Sequence, residues 1–294
     1  MKFYLQQIVK YCFYKYWLRT PKRIIGYVYK KIFNTKLNWK NPISLNEKIN
    51  WLKVYGDTSK WSQLADKYLV RSYVESKGLS NILIPLYGNW SDVNDIDFDK
   101  LPNSFVLKTN HGCGGVYIVK DKMKSNLEQI RRELNISVNQ RYGFYQGEPH
   151  YLQIKPQIIA EALLENENCN SVSMIDYKVW CFNGKPYCIF ICYNRTASGL
   201  YIECYDLNWN YRREWLRETT NIIIGEGIIP RPENLQYILN CAEILAESFP
   251  QVRVDLYSVK DRVYFGEMTF TSLGGFMEYF TDQALNDMGK LIQL

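Results

Sequence analysis

The chain has 294 residues, 47% of them hydrophobic, enough to bury a sizeable core without disulfide or metal staples. No run approaches the roughly 18–20 apolar residues of a membrane-spanning helix, and charges interrupt every apolar stretch near the N-terminus, which argues against a secretory signal peptide. The net charge of +6 is segregated: residues 1–40 hold ten lysines and arginines and no acid, so the remainder is near about −4.

Residues 1–33 mix Tyr, Phe, Trp, Ile and Leu with these cations, and Pro21 predicts two helices meeting near Thr20-Pro21. Two readings stand for this basic, aromatic-rich region. It is either an interfacial anchor on a membrane or on a lipid-linked substrate, or a helical extension that packs its aromatics on the main body and solvates its lysines. Nucleic acid is not expected as a partner, since no recognition motif accompanies the charge. Ser44-Leu45-Asn46-Glu47 is a capping-box pattern opening a helix that runs to Tyr55, and a second helix is expected over 63–76, stopped by Gly78. Strands follow over 82–87 (interrupted by Pro85), 105–108 and 116–120, then a helix over 127–136 and a strand within 154–164. A hairpin pairs 177–182 with 187–193 about Asn183-Gly184-Lys185. An amphipathic helix over 235–248 precedes a last hairpin of 252–259 with 263–270. This irregular alternation of helices and strands predicts an α+β fold.

The eight cysteines (Cys12, Cys113, Cys169, Cys181, Cys188, Cys192, Cys204, Cys241) form no CxxC pair, and only His111 and His150 offer imidazoles, so a zinc site is not expected. Cys188-Ile-Phe-Ile-Cys192 has the alternation of a strand that buries free thiols, which suits a reducing, cytoplasmic compartment.

Two constellations could carry chemistry. In the first, a strand ending at Lys108 runs through Thr109-Asn110-His111 into Gly112, Gly114 and Gly115 and returns as another strand. This is neither a P-loop nor a GxGxxG turn, but closely spaced glycines let backbone N–H groups converge on an anion, and a Lys beside them suits polyphosphate. The plain alternative is a glycine-rich hairpin with a surface Lys. The second constellation is Arg253-Val-Asp255 with Gly266-Glu267-Met-Thr269. A two-residue turn at 260–261 would pair Asp255 with Gly266 and turn Glu267 to the other face. A three-residue turn over 260–262 would pair Asp255 with Glu267 and Arg253 with Thr269, with the carboxylates' Cβ atoms roughly 4.5–5.5 Å apart. Carboxylates that close call for a hard cation, and magnesium fits. The alternative is a solvated strand face of mixed charge.

Together, Lys108 with its glycine loop, Ile159-Ala160-Glu161, Arg253-Val-Asp255 and Glu267-x-Thr269 resemble the ordered landmarks of the ATP-grasp superfamily. Ser44 to Trp51, Leu64-Ala-Asp-Lys-Tyr68, Phe105 to Gly115, Asp176-Tyr-Lys178 with Phe182-Asn-Gly-Lys-Pro186, and Val252 to Tyr257 resemble more narrowly its TupA-like branch, associated with teichuronopeptide and surface-polysaccharide biosynthesis. The resemblance covers about residues 40–294. It implies two α+β lobes clamping ATP: a basic helical region over 1–60, then an ATP-grasp domain over 61–294, with a lid at about 103–160 and a metal-binding lobe at about 161–294. It further implies that Lys67 and Lys108 face the phosphates under a lid loop of His111, Gly112, Gly114 and Gly115. Backbone of Glu161, Ala162, Leu163 and Leu164 would read the adenine edge. Lys178 and Arg253 would be the catalytic cations, and Asp255, Glu267 and Thr269 the magnesium ligands. Many superfamily members have Glu-x-Asn where this chain has Glu267-x-Thr269; Thr is the weaker ligand, which puts a tightly held second ion in question. Glu165 and Glu167 both remain as ribose-binding acids.

The implied reaction is ATP- and Mg2+-dependent joining of a carboxylate to an amine through an acyl-phosphate. Family analogy suggests a uronic-acid glycan or its precursor with an amino acid as substrates, and a location in the cytoplasm or at the inner face of the cell membrane. One rival is a glycosyltransferase of capsular or exopolysaccharide synthesis, for which Asp95-Ile-Asp97 and Asp97-Phe-Asp99 formally supply an Asp-x-Asp motif. The other is a non-catalytic nucleotide-binding protein of the same fold.

Overall fold

Two sheets, each with its own apolar core, organise the chain. The computed structural model describes residues 21–144, 146–165, 171–196, 199–260 and 262–294. Helix α1 (Pro21–Phe33) leads to α2 (Leu45–Tyr55), whose start has the expected capping box: Ser44 Oγ accepts from the Glu47 N–H, and the Glu47 carboxylate accepts from the Ser44 N–H. The single helix expected over 63–76 is instead two, α3 (Trp61–Ala65) and α4 (Val70–Ser76). Asp66 makes the break. Its Oδ1 accepts from the N–H groups of Tyr68 (2.8 Å) and Leu69 (3.1 Å), a local alternative to continuing the helix. Lys67 therefore sits on a turn.

The smaller sheet contains β1 (Leu86–Trp90), β2 (Phe105–Thr109), β3 (Val116–Val119) and β4 (Ile158–Glu161) in the order β1-β4-β2-β3, all antiparallel. The strand expected over 82–87 starts later: residues 80–82 form a 3-10 turn, and Pro85 has no N–H for a ladder. Helix α5 (Leu127–Val138) lays Leu134 and Val138 on one face, against Phe105, Leu107, Val119, Ile158 and Ala160. Strand alternation then places Val106, Lys108, Val116, Ile118, Ile159 and Glu161 on the other face.

The larger sheet has the order β10-β9-β5-β6-β7-β8, built from β5 (Asp176–Phe182), β6 (Lys185–Thr196), β7 (Gly199–Tyr205), β8 (Ile222–Ile224), β9 (Gln251–Val259) and β10 (Arg262–Thr269). Helix α7 (Leu235–Ala246), preceded in the chain by the short α6 (Pro149–Leu152), covers β9, β5 and β6 with Ile238, Ala242 and Leu245, all fully buried. Helix α8 (Asp282–Lys290) packs on α2, whose Leu45, Ile49 and Leu52 join the same core. Free thiols of Cys188 and Cys192 are buried, as the strand pattern suggested, and so are those of Cys181 and Cys204 on neighbouring strands and Cys241 on α7; Cys113 is exposed, and Cys12 and Cys169 lie outside the described residues.

Helix α1 buries Ile25 and Tyr29 against Leu37 and Phe276, and Ile24 against Phe144. The apolar face of this helix is therefore spent on the protein body, while its basic face stays exposed. The first of the two expected N-terminal helices lies outside the described residues. Among the described residues no helix is long and apolar enough to cross a membrane.

Candidate active site

The relation of Asp255 to Glu267 follows from the β9–β10 ladder, and neither register anticipated from sequence is the whole answer. Val259 pairs with Arg262, leaving two residues between the strands, and the ladder continues as far as Phe265 opposite Leu256. In that register Glu267 would face the wrong side. Gly266 is then skipped as a β-bulge, so Glu267 pairs with Asp255 and Thr269 with Arg253. A Cβ at this position would lie 3.0 Å from the Asp255 carbonyl oxygen and 3.1 Å from the Tyr257 ring, so glycine lets the bulge close onto β9. On the other side of β9, Lys178 of β5 pairs with Asp255. Three adjacent strands thus bring Lys178, Asp255 and Glu267 into one row.

These side chains form one ionic network. Arg253 donates from Nε to Asp255 Oδ1 (2.7 Å), from Nη2 to Oδ2 (2.8 Å) and from Nη1 to Ser272 Oγ (2.6 Å). Lys178 Nζ lies 2.5 Å from Asp255 Oδ2 and 3.4 Å from Asp176, which also accepts from Arg195 (3.0 Å). Burial opposes the charge on Lys178, but Asp176 and Asp255 overcome it and push the ammonium above the ordinary lysine range. Asp255 is buried and tightly held. Glu267 is looser, with a side chain 33% exposed and contacts of 3.4 Å to both Lys67 and Arg253. Burial would raise its carboxyl, but Lys67, Lys178 and Arg253 bring it down to about 2. Counting Lys67, Lys178, Arg195 and Arg253 against Asp176, Asp255 and Glu267, one positive charge is in excess.

The glycine loop meets this network through Lys67, whose Nζ donates to the Gly112 carbonyl (2.6 Å) and lies 3.4 Å from Glu267 Oε2. Gly112, Gly114 and Gly115 all have left-handed φ (94°, 88° and 59°). At Gly112 a Cβ would also fall 2.3 Å from the Tyr142 ring, whereas Gly114 faces open space. Asn110, fully buried, ties the loop down: Nδ2 donates to Asp66 Oδ2 (2.8 Å) and the Lys155 carbonyl (3.0 Å), and Oδ1 accepts from the Gln157 N–H (2.7 Å). Its own carbonyl accepts from the Lys67 N–H (3.0 Å). A second ionic group lies on the Lys108 face of the smaller sheet: Glu161 is 2.5 Å from Lys108 and 3.2 Å from Arg71 of α4.

Lys67, Gly112, Lys178, Arg253, Asp255, Glu267 and Thr269 are therefore brought together, with Lys108 and Glu161 paired nearby on the other sheet. Three of the expected residues make contacts of their own within the fold. His111 turns its Nε2 to the Gln140 carbonyl (2.9 Å), is buried, and has its basicity lowered chiefly by that burial, so it ties the loop to the segment after α5. Thr269 Oγ1 donates to Glu267 (3.1 Å) and accepts from Arg253 (3.1 Å), a brace between them. The Ala162 N–H is committed to the Pro85 carbonyl (2.9 Å). Of the ribose candidates, Glu165 is exposed and lies 3.9 Å from Lys260, while Glu167 is outside the described residues.

Asp66, Arg71, Asn110, Asp176 and Ser272 escaped the sequence-based selection. The signal for Asp66 was an acid four residues before a helical run, and for Asp176 the Asp-x-Lys spacing; Ser272 had none. Asp97, by contrast, caps a turn through the Asp99 N–H (3.1 Å) and pairs with Lys100, which gives it a local structural use. Among the described residues no three His, Cys, Asp or Glu side chains converge as a metal cluster.

Among solved structures, the chain is similar to an L-amino acid ligase from Bacillus licheniformis (13% identity, TM-score 0.47, 78% of this chain and 49% of that one). It is similar also to D-alanine–D-alanine ligases from Helicobacter pylori (12%, 0.44, 85% and 67%) and from Bacillus anthracis in complex with ATP (18%, 0.39, 71% and 54%). The chain thus spans about half to two thirds of the length of these proteins. No curated protein matches it. A family model described as TupA-like ATP-grasp matches residues 47–293, the stretch that holds every side chain of this site, and the chain belongs to that family.

Proposed function

We propose that the protein is an ATP- and magnesium-dependent carboxylate–amine ligase. The observation that carries this reading is Lys67, which joins the glycine loop to the in-register carboxylates of the other sheet through Gly112 (2.6 Å) and Glu267 (3.4 Å). A polyphosphate entering there meets Lys67, Lys178 and Arg253 on one side and the glycine-loop backbone on the other. The donor set fits magnesium. A carboxylate has about four lone-pair sites; Asp255 spends three on Arg253 and Lys178, and Glu267 spends three on longer contacts. Each retains one for a hard cation, and phosphate oxygens complete the shell. The excess positive charge disfavours a bare metal ion and favours one that arrives with a polyphosphate. When bound, magnesium would supply charge neutralisation between the phosphates.

In this reading Lys108, paired with Glu161, faces the nucleotide phosphates, and Val116 and Ile118 (50% and 58% exposed, on the Lys108 face) give the base an apolar shelf. Since the Ala162 N–H is taken, edge readout falls to Leu163 and Leu164. A substrate carboxylate attacks the γ-phosphorus, the bond to the β–γ bridging oxygen breaks and ADP leaves, while Lys178 and Arg253 offset the developing charge. An amine then displaces phosphate from the acyl group, aided mainly by positioning and by exclusion of water under the glycine loop. On family analogy alone, we take a uronic-acid-bearing surface glycan or its precursor as one substrate and an amino acid as the amine. The test is ADP release across pairs of amino acids and uronic-acid glycans, with wild type and Glu267→Ala. ADP formation that needs both partners and is lost in a folded Glu267→Ala supports the proposal. Nucleotide binding without turnover on any pair favours a non-catalytic binding protein, and sugar-nucleotide turnover without ATP favours a glycosyltransferase.

A further inference from the structure

The basic face of α1 takes no part in the site just described. Its apolar face is consumed by Leu37, Phe144 and Phe276, so it is not an amphipathic helix awaiting a bilayer to cover its greasy side. What it presents outward is charge. Arg23, Tyr27, Lys30 and Lys31 recur at spacings of four, seven and eight residues, one stripe of the helix, and all are exposed, as is Lys36 just beyond it. Tyr27 is 69% exposed. Lys22 is occupied over the Trp39 and Tyr55 rings (5.4 and 5.3 Å). Among the described residues no ion pair engages Arg23, Lys30, Lys31 or Lys36. Lys77, Lys100, Lys124, Lys185 and Lys290 each have a carboxylate partner. The exposed Lys60, Lys120 and Lys155 have no ion pair among the described residues either but lie on separate segments of the chain, whereas α1 gathers Arg23, Lys30 and Lys31 on one helix face.

We infer that this outward stripe of α1 docks the protein on an anionic lipid bilayer by electrostatic contact, with Tyr27 seated among the headgroups. A tyrosine in the middle of a cationic stripe suits a lipid interface, where an amphipathic ring is favoured, better than a rail of phosphodiesters. The position of α1 gives the contact a consequence. Its inner face holds Phe144, two residues from the Tyr142 ring that packs on Gly112, and Phe276, just after the turn whose Ser272 binds Arg253. Docking through α1 therefore holds the segments carrying Tyr142 and Ser272, which touch the glycine loop and Arg253, close behind the helix that meets the membrane. The inference concerns binding alone and does not depend on which substrates are joined.

The experiment is co-sedimentation of the full chain with phosphatidylcholine vesicles, with and without phosphatidylglycerol, comparing wild type with Arg23→Gln/Lys30→Gln/Lys31→Gln/Lys36→Gln. Wild type is expected to bind only the anionic vesicles and to be released by about 0.5 M NaCl. At about fivefold per cation near the surface, the quadruple variant should lose roughly several hundredfold in partitioning, with thermal midpoint and ATP binding unchanged. Equal binding to neutral vesicles, failure to bind at all, or undiminished binding by the quadruple variant would overturn the inference. So would a DNA or RNA duplex that strips wild type from the vesicles at equal phosphate concentration.

Discussion

Glu267→Gln and Asp255→Asn are both isosteric losses of one carboxylate charge from the same row, yet they should behave very differently. Asp255 is 2% exposed and held at 2.5–2.8 Å by Lys178 and Arg253. Neutralising it leaves two buried cations undercompensated, a loss of about 3–5 kcal/mol in unfolding free energy. Glu267 is a third exposed and its ionic contacts are 3.4 Å, so its removal should cost about 1 kcal/mol or less. Its effect belongs to the ligand. As a magnesium ligand, its loss should weaken MgATP binding by at least about 10–100-fold, the range seen even for outer-shell partners of metals. Metal-free ATP should bind equally well or more tightly, because an anion beside Lys67 and Arg253 has been removed. Guanidinium unfolding and calorimetric titration of ATP with and without magnesium measure all four quantities. Equal weakening of metal-free and magnesium-bound ATP in Glu267→Gln, or equal destabilisation by the two substitutions, would refute this division of labour.

Gly112→Ala should reduce ATP affinity more than Gly114→Ala, since only the former drives a Cβ to 2.3 Å from the Tyr142 ring; nucleotide titrations of the two variants decide the order. Ile118→Ser, on an exposed strand position, should leave the thermal midpoint within a few degrees but weaken nucleotide binding by about tenfold if the base rests on that shelf, worth about 25 cal/mol per Å² of covered apolar surface. His150 is fully buried, and burial depresses its imidazole from 6.5 to about 3. A histidine that must stay neutral contributes stability that is complete above pH 6.5 and lost as pH falls toward 3. Unfolding free energy should therefore fall by about 2–3 kcal/mol between pH 7 and 4.5, at about 1.4 kcal/mol per unit. The His150→Gln variant should show less of that fall, as read by denaturant titration at both pH values.

Local rules made much of the fold legible. Ser44 with Glu47 marked the start of α2, and alternation in 252–259 and 263–270 marked β9 and β10. What escaped were features decided by tertiary partners. β7 was not anticipated because Glu203 interrupts its apolar pattern; in the fold that carboxylate is buried and satisfied by the Tyr193 (2.9 Å) and Tyr205 (2.5 Å) hydroxyls and the N–H of Gly227 (3.0 Å). The break at Asp66 was hidden because an acid inside a helical pattern reads as a solvated position until its carboxylate is seen bonding Tyr68, Leu69 and Asn110. At the site, residue types were readable and their geometry was not. Turn length alone would have put Glu267 on the wrong face, and only the bulge at Gly266, a matter of how closely β9 approaches, restores the pairing with Asp255. His111 was legible as part of the glycine loop, but that its ring meets a carbonyl 29 residues away was not.

The chemistry itself can be caught in the act. With MgATP, a uronic-acid glycan and hydroxylamine as the amine, the protein should release ADP and form one hydroxamate per ADP, both dependent on the carboxylate and both lost in Glu267→Ala. Release of AMP in place of ADP, or ADP formed at the same rate without any carboxylate, would contradict an acyl-phosphate ligase.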